Sequence, residues 1–520
     1  MRKVSVGICL LIALATAITG CSKSSSNKSN HSSSNQSVSV SMKDDPRTFD
    51  PREVRLLSDI NLIHHLYEGL VQETPSGEVF PALAESFFLS EDKKTYTFHL
   101  KKALWSNGDL ITAHDFVRSW NDVLQNRIAS IYSFAFLPID LSKDCGFFAK
   151  DNHTLVINLH TPTPHFLKLL TLPVFYPVHP EHQIRNEAKA LPISTGAFCL
   201  KEKKDRRWLK LEKNPYYYNK EQVAIQEIHI HVIPDQQTAS ALFKQGKLDW
   251  QGLPWGHSIP QEALATANKR RTPQSFDISG TSWLTFNTSK VPFSHPKLRQ
   301  ALSLVLNKEA LASPTFVKPA KHLLPTHLHT YPEQPTYKQQ EAVILAKTLL
   351  QEALTDLNMT IKDLEKCPLI FSATSSVNSQ MAQMMRDQWR RILGITFPIC
   401  GKEYALLQND LTTNTFFMSI NGWFADFSDP LAFLSVFSSK GIKPYALQDP
   451  LFDQLILSIE TEKDPRKRIS LISEASLYLE KQNIIEPLYH DVFHYAANNK
   501  LSFVRLHPSG LVDMRYAKNS

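Results

Sequence analysis

Apolar and polar residues alternate along Tyr96-Phe98-Leu100, Leu155-Ile157-Leu159 and Ile228-Ile230-Val232. A period of two places alternate side chains on one face, so each stretch predicts a half-buried strand. Elsewhere the period is helical. Thr112 with Asp115 has the form of a capping box, and Phe116, Trp120 and Val123 follow at i, i+4 and i+7, predicting an amphipathic helix. A second helix is predicted behind Ser294 or His295 as cap, with Pro296 in its first turn and Leu298, Leu302 and Val305 on its buried face. Met381 to Leu393 predicts a third, stopped by Gly394, after which Ile395-Thr396-Phe397 opens a strand. Helices and strands mix throughout without a solenoid period, so the expected class is α/β.

The first residues follow another pattern. Arg2 and Lys3 precede a mostly apolar run from Val4 to Ile18, too short for a comfortable membrane span. Residues 1–20 are expected to be an export signal. Ile18-Thr19-Gly20-Cys21 resembles a bacterial lipobox, which implies that Cys21 is lipidated and becomes the mature N-terminus. Residues 21–37 are then a polar tether, almost all Ser, Asn, Lys and Gln beyond Cys21, with nothing to bury in a core.

Composition narrows the function classes. Residues 38–520 are enough for two or three lobes rather than one core. The 42 % apolar and 21 % charged content is ordinary for a globular protein. The whole chain carries +7, and loss of Arg2 and Lys3 leaves +5. Short basic runs such as Lys269-Arg270-Arg271 are too sparse for a nucleic-acid-binding face, so no nucleic-acid partner is expected. Beyond Cys9 and Cys21, the cysteines Cys145, Cys199, Cys367 and Cys400 form no Cys-x-x-Cys pair, and the sequence leaves both disulfides and buried thiols open. Gly-x-Ser-x-Gly, His-Glu-x-x-His and Walker A patterns are absent, so no catalytic residue and no cofactor is assigned. His229 with His231, and His322, His327 and His329, lack a Cys or carboxylate at ligand spacing. They are expected to face solvent rather than hold a metal.

The most informative stretch is Gly422-Trp423-Phe424-Ala425-Asp426-Phe427-Ser428-Asp429-Pro430. It places a carboxylate three residues after an indole in an apolar run, and Ala405 to Gly422 contains no Lys or Arg. A buried acid needs a partner, because an uncompensated charge is costly in a low-dielectric site. Two readings stay open from these residues alone: a solvated loop Asp, or a cleft Asp awaiting a cationic ligand group.

This stretch resembles the Gly-Trp-x-Ala-Asp-aromatic-x-Asp/Glu-Pro signature of family 5 extracytoplasmic solute-binding proteins, the oligopeptide-binding lipoproteins of ABC importers. Other segments agree in order: Asp45 to Pro51, Leu66-Tyr67-Glu68-Gly69-Leu70-Val71 with Pro81 to Ser86, and Trp105-Ser106-Asn107-Gly108-Asp109. Ser194-Thr195-Gly196-Ala197-Phe198, Asn214-Pro215-Tyr216-Tyr217 and Leu298-Arg299-Gln300-Ala301-Leu302 continue the series. The resemblance implies a periplasmic binding protein-like (class II) fold, with two main α/β lobes, a hinge and a smaller insertion lobe. Lobe I would comprise 38–78, 185–280 and 491–520, lobe II 79–184, and lobe III 281–490. It implies a monomer in the periplasm or on the cell membrane, held by its lipid, that captures oligopeptides and passes them to a permease. Asp426 would meet the peptide ammonium, with Gly422, Trp423, Ala425 and Phe427 around the ligand. Trp423 would pack beside the ligand or support the loop, with core packing alone an equal alternative. Well-known members carry arginines shortly before the motif, where Leu411 to Asn421 has none. That leaves room for other cargo, namely cell-wall tripeptide, glutathione, haem or nickel, or for a surface lipoprotein without a transport role.

Overall fold

The computed structural model describes residues 36–142, 146–181, 191–265, 273–333, 338–441 and 447–519. The expected signal 1–20, the lipidation site Cys21, most of the tether and Cys145 lie outside the described residues. Among the described residues, Cys199, Cys367 and Cys400 are free, and no helix is long and apolar enough to cross a membrane.

Three larger sheets organise the body. The first has four strands in the order Ser37–Met42, Glu227–Val232, Trp208–Lys213 and Phe198–Lys204. Its first pair is parallel and begins at Ser37 opposite Glu227, one residue inside the expected tether. Ile228 and Ile230 are buried and Val232 is half-buried, as their alternation predicts.

The second sheet is antiparallel: Ala84–Leu89, Thr95–Leu100, Thr154–Asn158, Phe147–Asp151. Tyr96, Phe98 and Leu100 point to its buried face. The helix Ala113–Leu124 lies against it, and the Asp115 carboxylate accepts the Thr112 N–H at 2.9 Å to close the expected cap. Its Trp120 meets Phe147 and Phe175 edge-on at 5.1 and 5.3 Å, and its Nε1–H donates to the Phe175 carbonyl at 3.0 Å. An indole can be buried here because its one polar atom is satisfied.

The third sheet is mixed. Its order is Trp250–Gly252, Ile485–Ala497, Gln274–Phe286, Met418–Phe424, Leu369–Ser372, Ile399–Lys402, with Lys318–Pro319 paired to the second of these. Its two 13-residue strands, Gln274–Phe286 and Ile485–Ala497, pair antiparallel on both sides of a break between Asp277 and Thr281. The helix Ser376–Leu393 covers it, and Gly394 at φ +73° ends that helix.

Three local expectations need correction. The helix starts five residues before Met381, where the Ser375 hydroxyl accepts the Asn378 N–H at 3.1 Å. The strand after Gly394 begins only at Ile399, because Pro398 has no N–H to donate to a ladder; Ile395 and Phe397 are buried as an extended link instead. His295 occupies the cap position of the helix Pro296–Leu304, as expected, without a side-chain cap bond, and Val305, just past its end, is buried. Of the loop histidines, His327 is exposed as expected, but His322 is half-buried and His329 is buried. His329 bonds Ser473 Oγ at 2.8 Å, His327 bonds Ser279 Oγ at 2.8 Å, and His322 meets Glu480 at 2.9 Å.

Three of the motifs meet at Gly196. Its N–H donates to the Leu66 carbonyl at 2.7 Å, the Thr195 hydroxyl accepts the Glu68 N–H at 2.9 Å, and Asn214 Nδ2 donates to the Gly196 carbonyl at 2.9 Å. A Cβ at Gly196 would stand 2.6 Å from the Leu66 carbonyl carbon. Backbone, unlike a side-chain tip, cannot swing away. Gly196→Ala is therefore expected to lower stability by about 1–3 kcal/mol, read as a lower urea midpoint.

Candidate functional site

The strand Met418–Phe424 pairs antiparallel with Gln274–Phe286, setting Gly422 opposite Ser282, Trp423 opposite Thr281 and Phe424 opposite Gly280. One further bond, Ala425 N–H to the Ser279 carbonyl at 2.7 Å, carries the chain to Asp426 before it leaves the sheet. The exit is fixed by Asp429. Its carboxylate accepts the Leu431 N–H at 3.1 Å and receives Arg468 bidentately, Nη1 at 3.0 Å and Nη2 at 2.8 Å. Burial raises the Asp429 pKa, but the Arg468 guanidinium outweighs it and holds the group below the ordinary carboxylate value. Lys168 Nζ donates to the Ser428 carbonyl, and the His165 ring stacks on Phe427 at 5.9 Å.

Asp426 differs from Asp429. It has no hydrogen-bond or ion-pair partner among the described residues, and burial pushes its pKa up to about 6. Tyr132 lies close enough that the Asp426 charge, after burial, raises its phenol pKa. Both line a cavity of about 350 Å³. Its walls bring together Phe424, Ala425, Phe427 and Ser428 from the motif, Ile131 and Tyr132 from the 79–184 segment, and Ile278 and Phe493 from the two long strands. Ala425, Asp426 and Phe427 line this cavity together. Gly422 and Trp423 remain in the ladder and do not line this cavity; Trp423 packs against the main hydrophobic core.

The floor is polar. Arg515 donates through Nη2 to Asp513 at 2.8 Å and through Nη1 to Glu68 at 3.3 Å, while the Tyr217 hydroxyl donates to Glu68 at 3.0 Å. Glu73 also faces the cavity, its pKa raised by burial. Arg55 and Arg505 stand exposed at the margin. The missing arginines of Leu411 to Asn421 have a structural counterpart: Leu411, Phe416, Met418 and Ile420 there are core residues. Sequence reasoning missed Tyr132, Arg468 and Arg515, whose partners lie far away along the chain; the Asp513-x-Arg515 spacing inside an apolar segment was the one local hint.

The arrangement suits an extended ligand with a cationic end. The unpaired Asp426 carboxylate supplies a charge, aromatic and aliphatic walls supply contact area, and the edge cations offer a second pole. Among the described residues no cluster of His, Cys, Asp and Glu suitable for a metal is present.

Comparison with known proteins finds relatives along most of the chain. The chain is 26 % identical over 503 residues to the oligopeptide-binding protein OppA of Bacillus subtilis, covering 92 % of each. It is 27 % identical over 474 residues to the periplasmic murein peptide-binding protein MppA of Escherichia coli, covering 86 % of each. The Haemophilus influenzae OppA structure in complex with RPPGFSPFR superposes with a TM-score of 0.73 at 23 % identity, over 94 % of this chain and 99 % of that one. Residues 78–445 match the family described as bacterial extracellular solute-binding proteins, family 5 Middle, and the chain belongs to that family, with its α/β binding-protein fold.

Proposed function

We propose that this protein captures oligopeptides with a free amino terminus and delivers them to the permease of an ABC importer. The observation that carries this reading is Asp426, a largely desolvated carboxylate without a protein partner, set in the wall of a cavity. A peptide ammonium would form a charge-assisted hydrogen bond there and fix the ligand's register. Exposed strand edges would pair with the peptide backbone, which every peptide shares, so side chains need little discrimination. Arg55 and Arg505 would favour a carboxylate at the other pole. Ala425 and Phe427 would contact the ligand, while Gly422 and Trp423 would hold the strand behind it.

The transport role also sets the architecture. Lobe I (38–78, 185–280, 491–520) and lobe III (281–490) would close about the paired strands at 280 and 490, with lobe II (79–184) as a side wall. Cys21 would carry the lipid that keeps a monomeric receptor near its membrane partner, since several acyl chains anchor where one binds only marginally. The role is binding and release, without catalysis.

A cell-wall tripeptide is the second reading. It presents the same ammonium, and the similarity to MppA favours it. Native mass spectrometry of freshly purified protein separates the two through the mass of what travels with it. Peptide at about 100 times its dissociation constant is expected to stabilise the protein by roughly 2.7 kcal/mol in a thermal-shift or denaturant assay. No shift with any free-amine peptide would remove the receptor reading.

A further inference from the structure

A second carboxylate on the same sheet has no role so far. The ladder between Gln274–Phe286 and Ile485–Ala497 jumps from Asp277–Val492 to Thr281–His490, so Ile278, Ser279 and Gly280 bulge opposite Asp491. A Cβ at Gly280 would stand 2.8 Å from Asp491 Oδ2 and 2.6 Å from the Phe424 ring. The carboxylate and the ring therefore meet over the bare glycine. Phe424 is 56 % exposed and lines the cavity, as does Phe493, two residues beyond Asp491 and so on its face of the strand. Asp491 meets the Phe424 ring on this face of the sheet, and Asp426 follows the same ring two residues on, where the strand ends and the cavity begins.

Asp491, like Asp426, has no hydrogen-bond or ion-pair partner among the described residues. Burial raises its pKa to about 7, with no cation to oppose it. Close packing alone would be served by any apolar residue at this strand position, without the cost of desolvating an acid.

We propose that Asp491 is a second cation subsite, which receives the lysyl, arginyl or diamino-acid side chain of a peptide whose ammonium sits at Asp426. The inference rests on the peptide-receptor reading. Asp491 lies on Ile485–Ala497 and Asp426 just past the end of Met418–Phe424, two strands across the sheet, a lateral spacing of roughly 10 Å. A lysyl side chain on the first or second residue spans that interval. Gly280 lets the Phe424 ring and the Asp491 carboxylate come together, because a Cβ there would collide with both. The ligand class is therefore peptides that are basic near the amino terminus.

The test is calorimetric titration of the full chain with Lys-Ala-Ala and Ala-Lys-Ala, each beside its norleucine counterpart, which keeps the methylenes and removes the charge. The wild type is expected to prefer lysine over norleucine by about tenfold or more at one of the two positions. Asp491→Asn, nearly the same size, is expected to bring the pair within about twofold while keeping affinity for the norleucine peptide. Equal affinities in the wild type overturn the subsite, and that comparison stands even if the variant fails to fold. A lysine preference that persists in a folded Asp491→Asn protein overturns it as well. Norleucine peptides that bind through their free amine without a lysine preference reject the subsite and leave the receptor reading intact; no binding by any of the four rejects both.

Discussion

Asp426→Asn is expected to lower affinity for free-amine peptides by about 2–5 kcal/mol and, at the same time, to make the ligand-free protein more stable. The two effects share one cause. Without a peptide the carboxylate is desolvated and uncompensated, and its pKa stands at about 6 rather than 3.8. A tenfold change in proton affinity corresponds to about 1.4 kcal/mol, so ionised Asp426 costs the ligand-free fold on the order of 1–3 kcal/mol at neutral pH. The folded state holds this proton more tightly than the unfolded state. The favourable contribution is complete below pH 3.8 and is lost as pH rises through about 6. The variant's advantage in urea midpoint should thus be largest near pH 7.5 and shrink towards pH 4. Peptide affinity of the wild type should move the other way, weakening as Asp426 is protonated below pH 6. N-acetylated peptides, which bring no cation, should bind the wild type poorly. Equal affinity for acetylated and free peptides would falsify the ion-pair role.

The opposing signs explain why such an acid persists in a fold. A site that must attract a cation from water keeps its charge unsatisfied until the ligand arrives, at a cost in stability that other parts of the molecule offset. Asp429, three residues on, does the reverse, with Arg468 permanently in place. One motif thus holds a structural acid and an acid reserved for a ligand. Their separation was legible in part: Asp426 sits between two phenylalanines with no local cation, and that pattern alone raised the question of its partner. The answer for Asp429 was not, because Arg468 is 39 residues away.

Legibility follows the range of the forces. The strand Thr95–Leu100 and the helix Ala113–Leu124 were readable because their periodicity and cap are local. The start of the helix Ser376–Leu393 was not, since Ser376 to Gln380 shows no strong apolar period. Burial of His329 depends on Ser473, and the anchoring of Arg515 depends on Glu68, 447 residues away. Asp491 gave no signal at all. Its isolation is created by Gly280 and Phe424, which only the assembled sheet brings beside it.

Arg468→Met is expected to destabilise the protein by about 3–5 kcal/mol at pH 7.5, because it leaves the Asp429 carboxylate buried and unpaired. Asp429 is only 3 % exposed, so water cannot take over the lost charge. The same change removes the Arg468 Nε–H bond to the Ile459 carbonyl at 3.0 Å, which ties two helices together. Adding Asp429→Asn to Arg468→Met should recover much of the loss, since a matched pair without charges avoids the desolvation that the lone carboxylate suffers. The double-mutant cycle, measured by urea unfolding, isolates that coupling. It also separates scaffold from ligand chemistry. The side-chain amide that Asp429→Asn introduces can still accept the Leu431 N–H that sets the exit of the Asp426 loop, so the double variant should retain peptide binding that the single variant loses. A loss below about 1 kcal/mol in Arg468→Met would mean that the pair is hydrated, as exposed ion pairs are. Asp426 would then be held in place by the strand ladder alone.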